Sequence, residues 1–183
     1  RNGVSAVIIE DKVGLKKNSL FGTEVKQELA TEEEFCAKIA AGKKAQVTRD
    51  FMIIARIEEI IAGYSVDEAL KKAFAAVRAG ADGVMIHSKD KSGQDIKAFC
   101  QRFRLEFPAV PIVLVPTTYN QFSETELASW GANVIIYANH MLRASYPAMY
   151  SCAEKILTAE RSLEVNDMCM PIKQILNLIP GTK

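Results

Sequence analysis

Five short apolar runs, each rich in Val, Ile or Met, punctuate this chain at about residues 4–9, 51–57, 83–87, 111–116 and 133–137. None alternates polar with apolar residues. A strand with one wet face would alternate, so runs of this kind predict parallel strands covered on both faces. Helical stretches separate them, at about 31–43, 65–79, 93–106 and 124–130. Three open on a capping box, Thr31 with Glu34, Ser65 with Glu68 and Ser123 with Glu126. In each box the hydroxyl caps an orphan amide and the carboxylate reaches back. The stretch 65–79 sets Val66, Ala69, Leu70, Ala73, Phe74 and Val77 on one face, with Lys71, Lys72 and Arg78 outside. Gly80, Gly131 and Gly42 are expected to cap helix C-termini. Repeated strand–helix units predict right-handed βαβ crossovers and a parallel α/β sheet.

Such units can wind into an open sheet or into a (β/α)8 barrel. No GxGxxG or GxxxxGKS loop follows any strand, which removes the best evidence for a nucleotide-binding open sheet. In a barrel, chemistry gathers at the C-terminal ends of several strands. Here those ends read Glu10-Asp11-Lys12, Arg56 with Glu58, His87-Ser88-Lys89, Pro116-Thr117-Thr118 and Asn139-His140. A TIM-type barrel is therefore expected, and five strands cannot close one. The chain also opens within four residues of a buried strand. Residues 1–183 are accordingly read as the C-terminal part of one (β/α)8 domain, with a helical arm at about 141–183. In that arm a stretch from Met141 to about Val165, interrupted near Pro147, precedes a helix from Ile172 to Ile179. The pair suits either a closing arm on another subunit or the last barrel helices.

Apolar residues make up 49% and charged residues 25% of the 183, as in an ordinary globular protein. The formal charge of +1 leaves no electrostatic footprint for nucleic acid or an anionic membrane. No apolar run approaches a membrane span, and the N-terminus lacks the layout of a signal peptide. Cys36, Cys100, Cys152 and Cys169 form no CxxC pair, so reduced thiols in a cytoplasmic protein are expected.

Glu10 is a carboxylate at a strand end, suited to a divalent cation directly or through water, or else to a salt bridge with Lys12 or Arg56. One carboxylate does not satisfy Mg2+, which wants several oxygen ligands. Lys16, Asn18 and Ser19 lie in a loop of about 20 residues, long enough to be a lid or binding segment. Together they could donate to a phosphoryl or carboxylate group, or form a solvated turn. Arg56 ends a buried strand and needs an anionic partner, either ligand oxygens held in bidentate fashion or Glu58 or Glu10. His87 ends another such strand, as a ligand-facing or a core histidine. His140 reads as structural. No nucleophile elbow and no catalytic cysteine is evident.

Taken together, these residues resemble the phosphoenolpyruvate mutase branch of the phosphoenolpyruvate mutase/isocitrate lyase superfamily. Glu10-Asp11-Lys12-x-x-x-Lys16-x-Asn18-Ser19 matches the signature EDKxxxKxNS at every fixed position. The likeness continues through Ala55-Arg56-Ile57-Glu58, Gly80-Ala81-Asp82, His87-Ser88-Lys89, Val115-Pro116-Thr117 and Ala138-Asn139-His140. The resemblance implies a Mg2+-dependent (β/α)8 enzyme that interconverts phosphoenolpyruvate and phosphonopyruvate for phosphonate biosynthesis. It implies that Glu10 is an outer-shell magnesium carboxylate and that Lys16, Asn18 and Ser19 lie on a gating loop. It also implies that Arg56 and His87 hold the phosphoryl group and substrate, and that subunits exchange a terminal helix in a dimer or tetramer.

The family's aspartate-rich early strands, which supply the direct metal ligand, have no counterpart in this sequence. The chain alone is expected not to turn over without that missing N-terminal half of the barrel. Two rival readings stand beside the mutase, a phosphonopyruvate hydrolase of the same framework and a catalytically silent assembly module. Asn18 argues against the hydrolase. A carbon–carbon lyase fits less well, because the cysteine of its KKCGH-type motif is absent.

Overall fold

A computed structural model describes residues 3–14, 28–178 and 181. Five strands form one parallel sheet in the order β1-β2-β3-β4-β5: Ala6–Glu10, Met52–Ile57, Gly83–Ile86, Ile112–Leu114 and Val134–Ile135. Every neighbour pair is parallel and every strand pairs with the next in sequence. A doubly wound sheet reverses its strand order at a switch point. This one does not, so right-handed crossovers place all the connecting helices on one face, as in a barrel. The expected winding is the observed one.

Those helices are α1 (Glu32–Ala45), α2 (Val66–Arg78), α3 (Gln94–Glu106) and α4 (Glu124–Trp130). All three capping boxes form: the Thr31, Ser65 and Ser123 hydroxyls accept from the Glu34, Glu68 and Glu126 amides, and each carboxylate returns a bond. Gly131 caps α4 at φ +118°, and Gly80, at φ +112°, follows the α2 cap Ala79. Gly42 departs from expectation. It lies inside α1, where a Cβ would come within 2.8 Å of Ile53 Cδ1, so its role is close helix–sheet packing.

The core lies between the helices and one face of the sheet. Phe35, Ile39, Ile53, Ala55, Ile57, Ala73, Val84, Ile86, Phe99, Phe103, Ile112 and Leu114 are buried there. Burial of this apolar surface is the main stabilising term. β2, β3 and β4 are the strands buried on both faces. β1 is not, because it ends the sheet among the described residues: Val7 and Ile8 are 38% and 40% exposed.

Side-chain alternation and the parallel register define what the opposite face presents. Glu10 pairs with Arg56, Arg56 with Met85 and Met85 with Val113, so these four form one row across β1–β4. Partners in register point to the same face. Ile8, Ile54 and Gly83 form the row before it.

The N-terminal edge of the sheet is pinned rather than equipped for chemistry. The Asp82 carboxylate accepts from Lys43 Nζ at 2.8 Å and from the Ile53 amide at 2.7 Å. The Arg104 guanidinium donates to the carbonyls of Gly131, Pro108 and Val110 at 2.6–2.9 Å, and also to Asn133 Oδ1. It thereby joins the end of α3 to the entrances of β4 and β5.

Buried ionic groups lie at the opposite edge, one of them around Lys72. Lys72 of α2, expected to be outside, is 8% exposed. Its ammonium donates to Asp11 Oδ2 at 3.1 Å and to the Ala30 carbonyl at 2.8 Å, and pairs with Glu59 Oε1. Helical period explains the reversal: Ala69, Lys72, Ala73 and Ala76 form one buried i, i+3, i+4, i+7 stripe. Burial first, and then the neighbouring Asp11 carboxyl, push Glu59 up to about 8, against the downward pull of Lys72. Burial acts to lower the Lys72 value, but Glu59 and Asp11 outweigh it, and the net shift is upward.

Residues Ala138–Lys183 form a second unit. Its helix α5 (His140–Ala159) runs through Pro147 without interruption and ends before the expected Val165, at the left-handed Glu160. A 3-10 turn, Leu163–Met168, and a four-residue helix, α6 (Ile172–Ile175), follow. The helix expected to reach Ile179 ends at Ile175. Cys152 and Cys169, distant in sequence, bring their sulfurs within 3.9 Å.

Two outcomes follow from these pins. Arg104→Met should lower stability by about 2–4 kcal/mol in chemical denaturation, since it strands several carbonyls at once. Glu59 gives a pH signature. Its folded pKa lies above the ordinary 4.5, so its proton contributes stability fully below about pH 4.5 and loses that contribution as pH rises through about 8. Melting temperature measured against pH should therefore fall more steeply for the wild type than for Glu59→Gln over this window. Parallel curves would contradict the assignment.

Candidate functional site

β1 ends on three consecutive ionic residues, and strand alternation sends them to different faces. Asp11 turns toward α2 and Lys72, whereas Glu10 and Lys12 reach the opposite face, where Arg56 and Glu58 lie. The pair after β2 divides in the same way, Glu59 to Lys72 and Glu58 to the site. Two adjacent sequence positions thus serve two separate clusters.

Glu58 is the centre of the site and has no solvent exposure. Its Oε1 accepts from Arg56 Nε at 2.7 Å and lies 3.4 Å from His87 Nδ1. Its Oε2 is 3.0 Å from Lys12 Nζ. Arg56 Nη2 stands 3.4 Å from the same His87 nitrogen, and Arg56 Nε is 3.6 Å from Glu10 Oε2. A buried carboxylate is costly unless paired and hydrogen-bonded. This one holds two cations and an imidazole around itself. By gripping Arg56 through Nε it sets the plane of the guanidinium, the group that recognises planar or tetrahedral oxyanions. His87 turns its Nδ1 to the cluster.

The backbone under His87 is fixed as well. Thr118 Oγ1 donates to the Ser88 carbonyl at 2.8 Å, and Ser88 Oγ, itself 3.2 Å from Asp95 Oδ2, accepts from the Asp90 amide. Thr118 and Ser88, both at strand ends, therefore act as supports.

Glu10, Arg56 and His87 are brought together as the strand-end reading requires. Lys16, Asn18 and Ser19 lie outside the described residues. The chain on either side of their segment is described, and its two ends meet beside the site. Lys12 and Leu29 form an antiparallel bridge, the Val13 amide donates to the Glu28 carbonyl at 3.0 Å, and the Ala30 amide donates to the Asp11 carbonyl at 2.6 Å. Asn139 and His140 open α5 in the second unit.

Among the described residues no three His, Cys, Asp or Glu side chains are grouped to hold a metal ion. Glu10 offers one carboxylate where Mg2+ takes six oxygen ligands, so a magnesium site would need donors from elsewhere. Sequence reasoning marks Glu58 as a strand-end carboxylate and partner for Arg56 but not as the centre of the site, and it misses Glu59 and Lys72. The position of Lys72 within the buried stripe of α2 was the available signal.

The Phosphoenolpyruvate phosphomutase family profile matches residues 1–157. A phosphoenolpyruvate phosphomutase of Tetrahymena pyriformis is 37% identical over 178 residues, covering 97% of this chain and 58% of that relative. A phosphonopyruvate hydrolase of Variovorax sp. is 39% identical over 177 residues, covering 96% of this chain and 60% of the relative. The crystal structure of a phosphoenolpyruvate phosphomutase from Streptomyces platensis subsp. rosaceus superposes with a TM-score of 0.88 at 45% identity, covering 95% of this chain and 59% of that one. A phosphonopyruvate hydrolase solved with oxalate and Mg2+ gives 0.82 at 37%, covering 95% and 58%. The chain thus spans about three fifths of the length of these relatives, and its five strands with their four connecting helices are a section of a (β/α)8 barrel. With the matched span taking in every strand end that builds the Glu58 cluster, the chain belongs to the phosphoenolpyruvate phosphomutase family.

Proposed function

We propose that this chain supplies the phosphoryl-holding side of an isomerase that interconverts phosphoenolpyruvate and phosphonopyruvate. The observation that carries the reading is the Glu58-centred set of Arg56, His87 and Lys12 at the ends of neighbouring parallel strands. It stands beside the paired ends of the segment bearing Lys16, Asn18 and Ser19.

In the isomerisation the phosphorus leaves carbon for the enolate oxygen of the same molecule. The PO3 group in transit is loosely bonded and its oxygens carry the charge. Arg56 and His87 bind those oxygens, with Glu58 holding both in place before substrate arrives, so no reorganisation is needed at the transition state. Lys16 and Asn18, with Ser19, donate to the same group and keep water from it. Glu10 serves as an outer-shell carboxylate for Mg2+. The ion, when bound, would neutralise charge on the substrate oxygens, and its direct ligands come from outside these residues.

Hydrolysis of phosphonopyruvate is the second reading, favoured by a hydrolase relative at 39% identity beside a mutase at 37%. The lysine, carboxamide and hydroxyl of the EDKxxxKxNS segment favour the mutase. Four unpaired thiols suit a cytoplasmic setting, and no described helix is long and apolar enough to cross a membrane. α5 buries none of its residues and leaves Met141, Leu142, Tyr146 and Met149 exposed, which suits helix exchange between copies in a dimer or tetramer.

In the full-length protein with Mg2+, phosphonopyruvate should give phosphoenolpyruvate by 31P NMR. Pyruvate plus phosphate would mark the hydrolase, and no turnover the silent module. Arg56→Ala, His87→Ala and Asn18→Ala should each lower kcat by about 10²–10³-fold, as loss of one preorganised donor does. Glu58→Gln should lower it too, although Glu58 touches no substrate.

A further inference from the structure

Lys72 has no place in the chemistry just described, yet its contacts reach both parts of the site. Its ammonium holds the Asp11 carboxylate through Oδ2, and the other oxygen, Oδ1, accepts from the Glu58 amide at 3.1 Å. The backbone that presents the central carboxylate is therefore fixed through Asp11. The same ammonium donates to the Ala30 carbonyl, and the Ala30 amide returns to the Asp11 carbonyl. One buried cation thus joins α2, the end of β1 and the chain re-entering α1. Asp11 and Glu59 share it, and both are buried.

We propose that Lys72 is a positioning residue for the phosphoryl transfer, locking together through Asp11 the Glu58 backbone and the two chain ends at Val13 and Glu28. The inference rests on the isomerase reading. Its consequence is chemical as well as structural. Once the C–P bond of phosphonopyruvate breaks, phosphorus bonds either to the enolate oxygen, giving phosphoenolpyruvate, or to a water oxygen. In the second case the enolate carbon takes up a proton, and pyruvate and phosphate leave. A site with a loosened Glu58 backbone and loosened chain ends holds the PO3 group less well and admits water more often.

Lys72→Met keeps the length of the apolar stem and removes the ammonium. The full-length wild type and variant, each shown to be folded by circular dichroism, would be given phosphonopyruvate and Mg2+ and followed by 31P NMR. The variant should lose about tenfold or more in kcat, with little change in KM. The share of turnovers ending in phosphate should rise several-fold. A slower variant with the wild-type product ratio would overturn the proposal, because a purely structural lysine lowers both products equally. Should Lys72→Met not fold, Asp11→Asn weakens the same link with little change of shape and should shift the ratio in the same direction; an unshifted ratio there also overturns it. If the wild type itself makes no phosphoenolpyruvate, it is the isomerase reading that fails.

Discussion

A carboxylate with no access to water governs this structure. Glu58 would be prohibitively costly alone, and the fold supplies Arg56, Lys12 and His87 within 2.7–3.4 Å of its two oxygens. These partners come from three different strand ends, so the ion network and the parallel register depend on each other. If β2 slipped by one residue against β1, Glu10 would lose its place beside Arg56, and every side chain of β2 would change face. Register specificity and site assembly are here one constraint.

That constraint explains why charged residues cluster in pairs along the chain. Asp11-Lys12 and Glu58-Glu59 look like redundant charge in sequence. Because successive strand residues face opposite ways, each pair sends one member to the Glu58 cluster and one to the helix layer. The helix layer then needs a cation of its own, and Lys72 is that cation. The two clusters touch through the bond from the Glu58 amide to Asp11. Anchoring and chemistry are separated by the width of one sheet and connected by one hydrogen bond.

Much of this is legible before any coordinates. Apolar runs without alternation gave the five parallel strands. The three capping boxes located the starts of α1, α2 and α4 to within a residue, because that motif is local and satisfies orphan amides wherever it occurs. The strand-end rule singles out Glu10, Arg56 and His87, which the fold brings side by side. What escaped was tertiary in origin. Lys72 was assigned outside by residue type, although its helical phase lies with Ala69 and Ala76; burial of a lysine depends on acids 13 and 61 positions away. Glycine commonly ends helices, which makes Gly42 read as a cap in sequence, whereas in the fold it makes room for Ile53. Pro147 was expected to interrupt a helix that in fact runs through it.

A likeness to both a mutase and a hydrolase is physically reasonable. Both reactions begin by taking a phosphoryl group from carbon, and both need cationic donors placed around its oxygens before the bond breaks. Under the proposed function, the Glu58 cluster answers that shared demand. The distinction arises later, in whether the enolate oxygen or a water molecule stands opposite phosphorus when it is transferred. Overall identity, dominated by strands and helices, therefore carries little weight in separating the two activities. Under the isomerase reading, the short polar run Lys16-Lys17-Asn18-Ser19 is the stretch of sequence that separates the two.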